Sequence, residues 1–250
     1  MAKKSQASPS VTQPRSPAPV QPLASWLVAL LQAGDSFYPT GSYAHSFGLE
    51  GLVQEGVVRD RITLREFLFR SVLPSLQRVE LPLAAHAWQA FGTEDWSRIG
   101  ELSELSAALK APQELRAASF NIGRQRAELI GLLQAHPMAK EYLRRAGESE
   151  WSFSAPVSAA LEGRIHGAPQ VAVLSGVFYA SVSSLLSAAM KVLRLGQNAS
   201  QSLLTETLSA APVIIASAEK IPVDEIGWFN PWLDIASARH ESADSRMFIS

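Results

Sequence analysis

The 250-residue sequence predicts an all-α, single-domain bundle of roughly eight to ten helices. Three observations lead there. Apolar residues recur at helical spacing through most of the chain, glycine and proline punctuate those runs, and no alternating pattern of useful length marks a strand. The apolar fraction of 47% against 18% charged residues supplies a sizeable core for one large helical domain or two small ones. No internal repeat at solenoid periods appears.

Taken in order, residues 1–22 hold Lys3, Lys4, Arg15 and five prolines among Ser, Gln and Ala. This stretch lacks the apolar run of a secretory signal and cannot bury enough surface to offset chain entropy, so a disordered tail is expected. Residues 23–230 read as the helical domain, and 231–250 as a C-terminal helix with a docking tail. Leu23 to Ala33 reads as a short helix closed by Gly34 in a left-handed cap. Asp35 to Gly41 reads as a loop, and Ser42 to Glu55 as helix ending at Gly56. Thr63 to Glu66 has the form of a capping box. Leu64, Phe67, Leu68 and Val72 follow at helical spacing, with Pro74 expected to kink that helix and Pro82 to end or restart it. Trp96, Ile99, Leu102, Leu105 and Leu109 form the next stripe. Pro112 suits a first helical position before the face Leu115, Ser119, Ile122, Leu129 and Leu133. Met138 to Arg145 reads as a short basic helix closed by Gly147. Residues 156–167 are ambiguous. Val171 to Leu193 and Ser200 to Ala218 complete the set.

The apolar run from Val171 to Met190 is long enough for a membrane span. Ser175, Ser181, Ser183, Ser184 and Ser187 dilute it, and no aromatic belt flanks both ends. A central buried helix is the favoured reading, with small residues allowing close approach in the core or across a dimer seam. The net charge of −1 gives no electrostatic case for nucleic acid or an anionic membrane. The absence of cysteine excludes disulfides, thiolate metal sites and thiol nucleophiles, and fits a cytoplasmic protein.

Candidate chemistry is sparse. Ala44-His-Ser-Phe-Gly48 is a relaxed nucleophile elbow around Ser46, the basis of a serine-hydrolase alternative. An elbow requires a strand before the serine, so a packed loop-to-helix junction is the plainer reading. The histidines form no pair at i,i+3 or i,i+4. His240-Glu241 begins like a zincin motif, but Asp244 stands where the second histidine belongs. An exposed hydrogen-bonded cluster is expected there, and a structural role for His166. No phosphate-loop signature occurs, so no nucleotide hydrolysis is expected of the chain alone. Arg124, Arg126, Arg144 and Arg145 read as a solvated helix face. Trp228, Phe229, Trp232, Met247 and Phe248 either fold back on the bundle or anchor a partner.

Three blocks carry a family resemblance. Tyr38-Pro-Thr-Gly-Ser-Tyr-Ala-His-Ser-Phe-Gly-Leu-Glu50 is similar to the Pro-x-Gly-(Ser/Gly)-(Tyr/Phe)-x-(His/Tyr)-Ser-x-Gly-Leu-Glu signature of the UreF urease accessory proteins. Val192 to Gln201 resembles their turn between helices, with Arg194 where proline is common. Asp234 to Glu241 with Ser245 to Ser250 resembles their C-terminal ending. The resemblance covers about Leu23 to Ser250. It implies an all-α homodimer that is not an enzyme and holds no cofactor or metal. It implies a scaffold or chaperone role in urease maturation. Such a protein binds UreD (also called UreH), recruits the GTPase UreG, and serves GTP-dependent nickel insertion into apo-urease. The residues it marks for partner binding are Tyr43, His45, Ser46, Glu50, Arg239, His240, Glu241, Arg246 and Phe248. Tyr43 and Arg246 lead that set, through a hydrogen bond that would lock loop and tail into one surface.

Overall fold

The computed structural model describes residues 24–35, 37–41, 45–148, 151–240 and 247–248, apart from the side chains of Arg239 and His240. The proline-rich segment of residues 1–22 therefore lies outside the described residues. Among those described there are helices and no strands.

Eleven helices follow one another when the helix over 61–92 is counted as one. They are α1 (Ser25–Ala33), α2 (Leu49–Gln54), α3 (61–92), α4 (Trp96–Ala108), α5 (Gln113–Gln134), α6 (Pro137–Gly147), α7 (Ala155–Ile165), α8 (Gln170–Val192), α9 (Gln197–Ser209), α10 (Ala211–Ala218) and α11 (Pro231–His240).

Helix α3 spans the molecule. It starts at Asp60, whose carboxylate accepts from Thr63 N while Thr63 Oγ1 accepts from Asp60 N, so the capping box begins three residues earlier than its expected Thr63 start. Neither Pro74 nor Pro82 ends it. Each lies just after a π-helical turn, Leu68–Val72 and Leu76–Glu80. A turn of wider radius moves the carbonyl that would meet the proline ring and absorbs the missing N–H.

The two halves of α3 enter two apolar clusters. Its first half packs with Leu49 of α2, Phe178 and Leu186 of α8, Leu203 of α9 and Ile215 of α10. Its second half packs with Ile99 and Leu102 of α4, Tyr142 of α6, Leu161 of α7 and Trp151 in the connection before α7. Phe91, Tyr142 and Phe153 meet edge to face, at 5.8 Å between ring centroids for both Tyr142 pairs.

Helix α7, the ambiguous stretch, is the central element. It lies against α3 and α5. Gly123 of α5 makes this possible: a Cβ there would stand 2.6 Å from the Ser154 backbone. Gly163 plays the same part toward Val173 of α8, at 2.2 Å.

Three further expectations are corrected. Gly34 adopts a right-handed conformation at φ −90°, since its N–H closes the last turn on Leu30 O without a reversal. The helix expected from Ser42 starts only at Leu49, because Phe47 and Gly48 turn left-handed before it. Helix α8 is long and apolar enough to cross a bilayer by length and composition, yet it is less enclosed than a central core helix. Only 39% of its apolar window is buried. One face carries Leu174, Phe178, Val182 and Leu185 into the core, while Val171, Tyr179 and Met190 stay exposed. Ser175, Ser181 and Ser187 satisfy their hydroxyls on carbonyls four residues earlier, which suits a semi-exposed helix.

Candidate functional site

The site is built around the segment between α1 and α2. Asp35 starts it: its Oδ1 accepts from Phe37 N at 2.7 Å and its carbonyl from Tyr38 N at 3.0 Å. This turn sends Tyr38 inward, where the ring is 8% exposed. The Tyr38 hydroxyl donates to Glu162 Oε1 on α7, and Arg126 Nη1 of α5 donates to Glu162 Oε2. The Arg126 guanidinium also lies over the Tyr38 ring, 5.7 Å from its centroid. Burial, then the Glu162 charge, pushes the Tyr38 hydroxyl well above its ordinary pKa, so it remains a donor at any physiological pH. The carboxylate of Glu162, in a residue 2% exposed, thus has a partner on each oxygen. This is the condition under which a buried charge is tolerated.

The segment ends as tightly. Phe47 (φ 52°) and Gly48 (φ 82°) are consecutive left-handed residues. A bulky residue in that region costs of order 1–3 kcal/mol and persists only where the surroundings enforce it. Gly48 is also a point of contact: a Cβ there would stand 2.4 Å from Ser237 Oγ and 2.7 Å from Leu233 Cδ1 of α11. Helix α11 therefore rides directly over this glycine. Ser46 Oγ accepts from Glu50 N at 3.3 Å and helps start α2.

Glu50 then reaches the C-terminus. Its Oε1 accepts from Met247 N at 2.8 Å and its Oε2 from Phe248 N at 3.0 Å. The Phe248 ring is buried, with Lys191 Nζ of α8 5.1 Å from its centroid. Loop and tail thus join through a carboxylate gripping two successive backbone amides, charge-assisted bonds of the stronger kind.

His45, Ser46, Glu50 and Phe248 are all buried, at 4%, 0%, 5% and 5% exposure. They sit beneath the surface of the loop and tail, positioning it. Burial also lowers the His45 pKa, against the opposing charge of Glu114. Tyr43, Glu241 and Arg246 lie outside the described residues, as do the side chains of Arg239 and His240, and the Tyr43–Arg246 hydrogen bond with them. Among the described residues no strand precedes Ser46, as a nucleophile elbow requires, and its hydroxyl accepts from the α2 backbone.

Among the C-terminal aromatic residues both alternatives occur. Phe248 folds back, whereas Phe229 and Trp232 are each 78% exposed. Arg126 corrects the solvated-face reading. Arg124 and Arg144 are exposed and paired with acids along their helices, but Arg126 points inward to Glu162. The Tyr38–Glu162–Arg126 triad went unseen in the sequence because its members are 36 and 124 residues from Glu162. The one local signal was Glu162 itself, a lone acid inside the apolar run Val157 to Ile165.

The UreF family model matches residues 58–208. The urease accessory protein UreF of Azoarcus sp. (strain BH72) is 33% identical over 226 residues, covering 90% of this chain and 95% of that protein. That of Paenarthrobacter aurescens (strain TC1) is 31% identical over 229 residues, 91% of this chain and 99% of that protein. That of Bacillus sp. (strain TB-90) is 29% identical over 225 residues, with 90% and 99% covered. With a family match over more than half its length on an all-helical bundle, the chain belongs to the UreF family of urease accessory proteins.

Proposed function

We propose that this chain is a non-enzymatic scaffold in urease maturation. It acts in the cytoplasm as a homodimer, binds UreD (UreH), and through that complex recruits the GTPase UreG. The assembly inserts nickel into apo-urease with GTP hydrolysed by the GTPase. Nickel is cargo here; the sequence has no thiolate and no close histidine pair to retain it.

The observation that carries this reading is the Glu50 clamp. It holds Met247 and Phe248 against the end of the loop, which supports a docking surface shared by loop and C-terminal residues; Tyr43, Arg239, His240, Glu241 and Arg246 are the residues proposed for it. Exposed Phe229 and Trp232 lie beside it in sequence and have the chemistry of interface anchors. The homodimer is supported by uncovered apolar surface on α1 and α8. Leu27, Val28 and Leu31 of α1 are 45%, 50% and 67% exposed, and no α1 residue is buried. Gly176 of α8 faces open space, where a helix of a second copy has room to approach.

The test is calorimetric titration of the purified chain with UreD, in wild type, Arg246→Ala and a form lacking residues 246–250. Both variants should bind at least tenfold more weakly, with the thermal midpoint of free Arg246→Ala nearly unchanged. Equal binding by the truncated form places the docking surface elsewhere.

A further inference from the structure

A cleft of about 240 Å³ opens beside Phe47 at the end of the loop. Its walls come from α3, α5, α7, α8 and α11, together with Phe47 of the loop. The lining is mostly apolar, with Leu76, Val79, Ile122 and Leu233 among it and Trp228 at the approach to α11. Four charged side chains line it: Glu80, Lys110, Arg126 and Asp234.

Three of these are already compensated. Lys110 Nζ lies 2.9 Å from Glu80 Oε1, and Arg126 is paired with Glu162. Asp234 alone has no hydrogen-bond or ion-pair partner for its carboxylate among the described residues. The cleft therefore carries one uncompensated negative charge against an apolar wall. Burial raises the Asp234 pKa, the sign of a carboxylate that the fold accommodates at a cost. A position in the first turn of α11 offsets part of that cost through the helix dipole, but that role needs only an exposed acid.

We infer that this cleft is a subsite for a basic side chain, arginine or lysine, carried on an apolar segment of the docking partner and paired with Asp234. The inference rests on the docking reading above and adds the partner's chemistry. Apolar walls take the aliphatic stem of such a side chain, and Trp228 offers a face for a cation. Both Phe47 of the loop and Leu233 of α11 line the cleft and flank the Gly48 contact, so the subsite is continuous with the proposed docking surface.

The experiment uses the full chain and its Asp234→Asn variant in two titrations. The first is against UreD at two ionic strengths. Wild type should bind at least tenfold more tightly, with a steeper loss of affinity at high salt, since truncating one side of a desolvated pair leaves the other charge unpaired. The thermal midpoint of the variant should be unchanged or higher, because a neutral side chain relieves the partly buried charge held against the apolar wall. The second titration is partner-free, following NMR shifts with acetyl-Leu-Arg-Leu-amide and its glutamine analogue. Wild type should prefer the arginine peptide at least threefold, and Asp234→Asn should lose that preference.

If wild type fails to bind UreD but keeps the peptide preference, the docking reading fails and the cationic subsite stands. If UreD binds both forms equally, or the variant melts several degrees lower, Asp234 is not a partner contact and this proposal is overturned. It is overturned equally if the arginine preference appears only after residues 1–22 are removed. The chain's own N-terminal segment would then be the occupant.

Discussion

Two buried carboxylates hold the same loop from its two ends, and they do so differently. Glu162 grips Tyr38 at the start of the loop. It is a charge closed within the body, paired to an arginine on a neighbouring helix and to the buried phenol of the loop. Glu50 grips the other end, and it spends its oxygens on the backbone amides of Met247 and Phe248, near the end of the chain. The first contact fixes where the loop sits. The second ties a separable segment to it. Two carboxylates can thus share type, burial and even satisfaction; what separates them is whether the partner group can leave without opening the core.

The largest effect should come from breaking the body contact. Glu162→Ala leaves Arg126 charged and unpaired in the interior, a loss of about 3–5 kcal/mol. At roughly 2–4 °C per kcal/mol for a chain of this size, the thermal midpoint should fall by on the order of 10 °C. A fall under about 3 °C would mean that water reaches the triad and that it does not fix the loop.

Gly48→Ala comes next, since it strains the turn and pushes on α11 together. A left-handed alanine costs about 1–2 kcal/mol, and the contacts with Ser237 and Leu233 add to it. Gly56→Ala is the control, equally left-handed at φ 71° but with nothing within 4 Å. Differential scanning calorimetry should find Gly48→Ala the more destabilising of the two. Equal losses would show that α11 is not seated on the loop.

The smallest expected effect has the opposite sign. Gly176→Ala in the open face of α8 should stabilise the isolated chain by about 0.5–1 kcal/mol, through helix propensity alone. If that face is the dimer seam, the same variant should weaken self-association in sedimentation. A stabilised chain with unchanged association would move the seam elsewhere.

How much of this was legible in sequence depended on whether the signal was local. The stripes of α4 and of the first half of α3 announced themselves, since a helix that buries one face must repeat its apolar residues at 3.6. Helix α7 did not, because it is enclosed on several sides, so its buried alanine, serine and glycine residues mark no single apolar face. Its information lies in what is missing at Gly163, and only its neighbours reveal that. Pro82 misled for a related reason: its penalty is real, but the π turn before it and tertiary packing absorbed it. In the site, the glycine-rich loop and the patterned C-terminus marked two parts that meet. Glu50 as the joint was visible only as the last letter of a motif. The Tyr38–Glu162–Arg126 triad needed the fold to bring three distant positions together.

Amide hydrogen exchange at Met247 and Phe248, in wild type and Glu50→Gln, tests the joint most directly. Glutamine presents an N–H₂ to one of the two tail amides, leaving a donor unpaired at a cost of about 1–3 kcal/mol. Both amides should be protected in wild type and exchange at least tenfold faster in the variant, while the amides of α7 keep their protection. Equal protection of the two tail amides in both proteins would contradict the claim that Glu50 binds loop and tail into one surface.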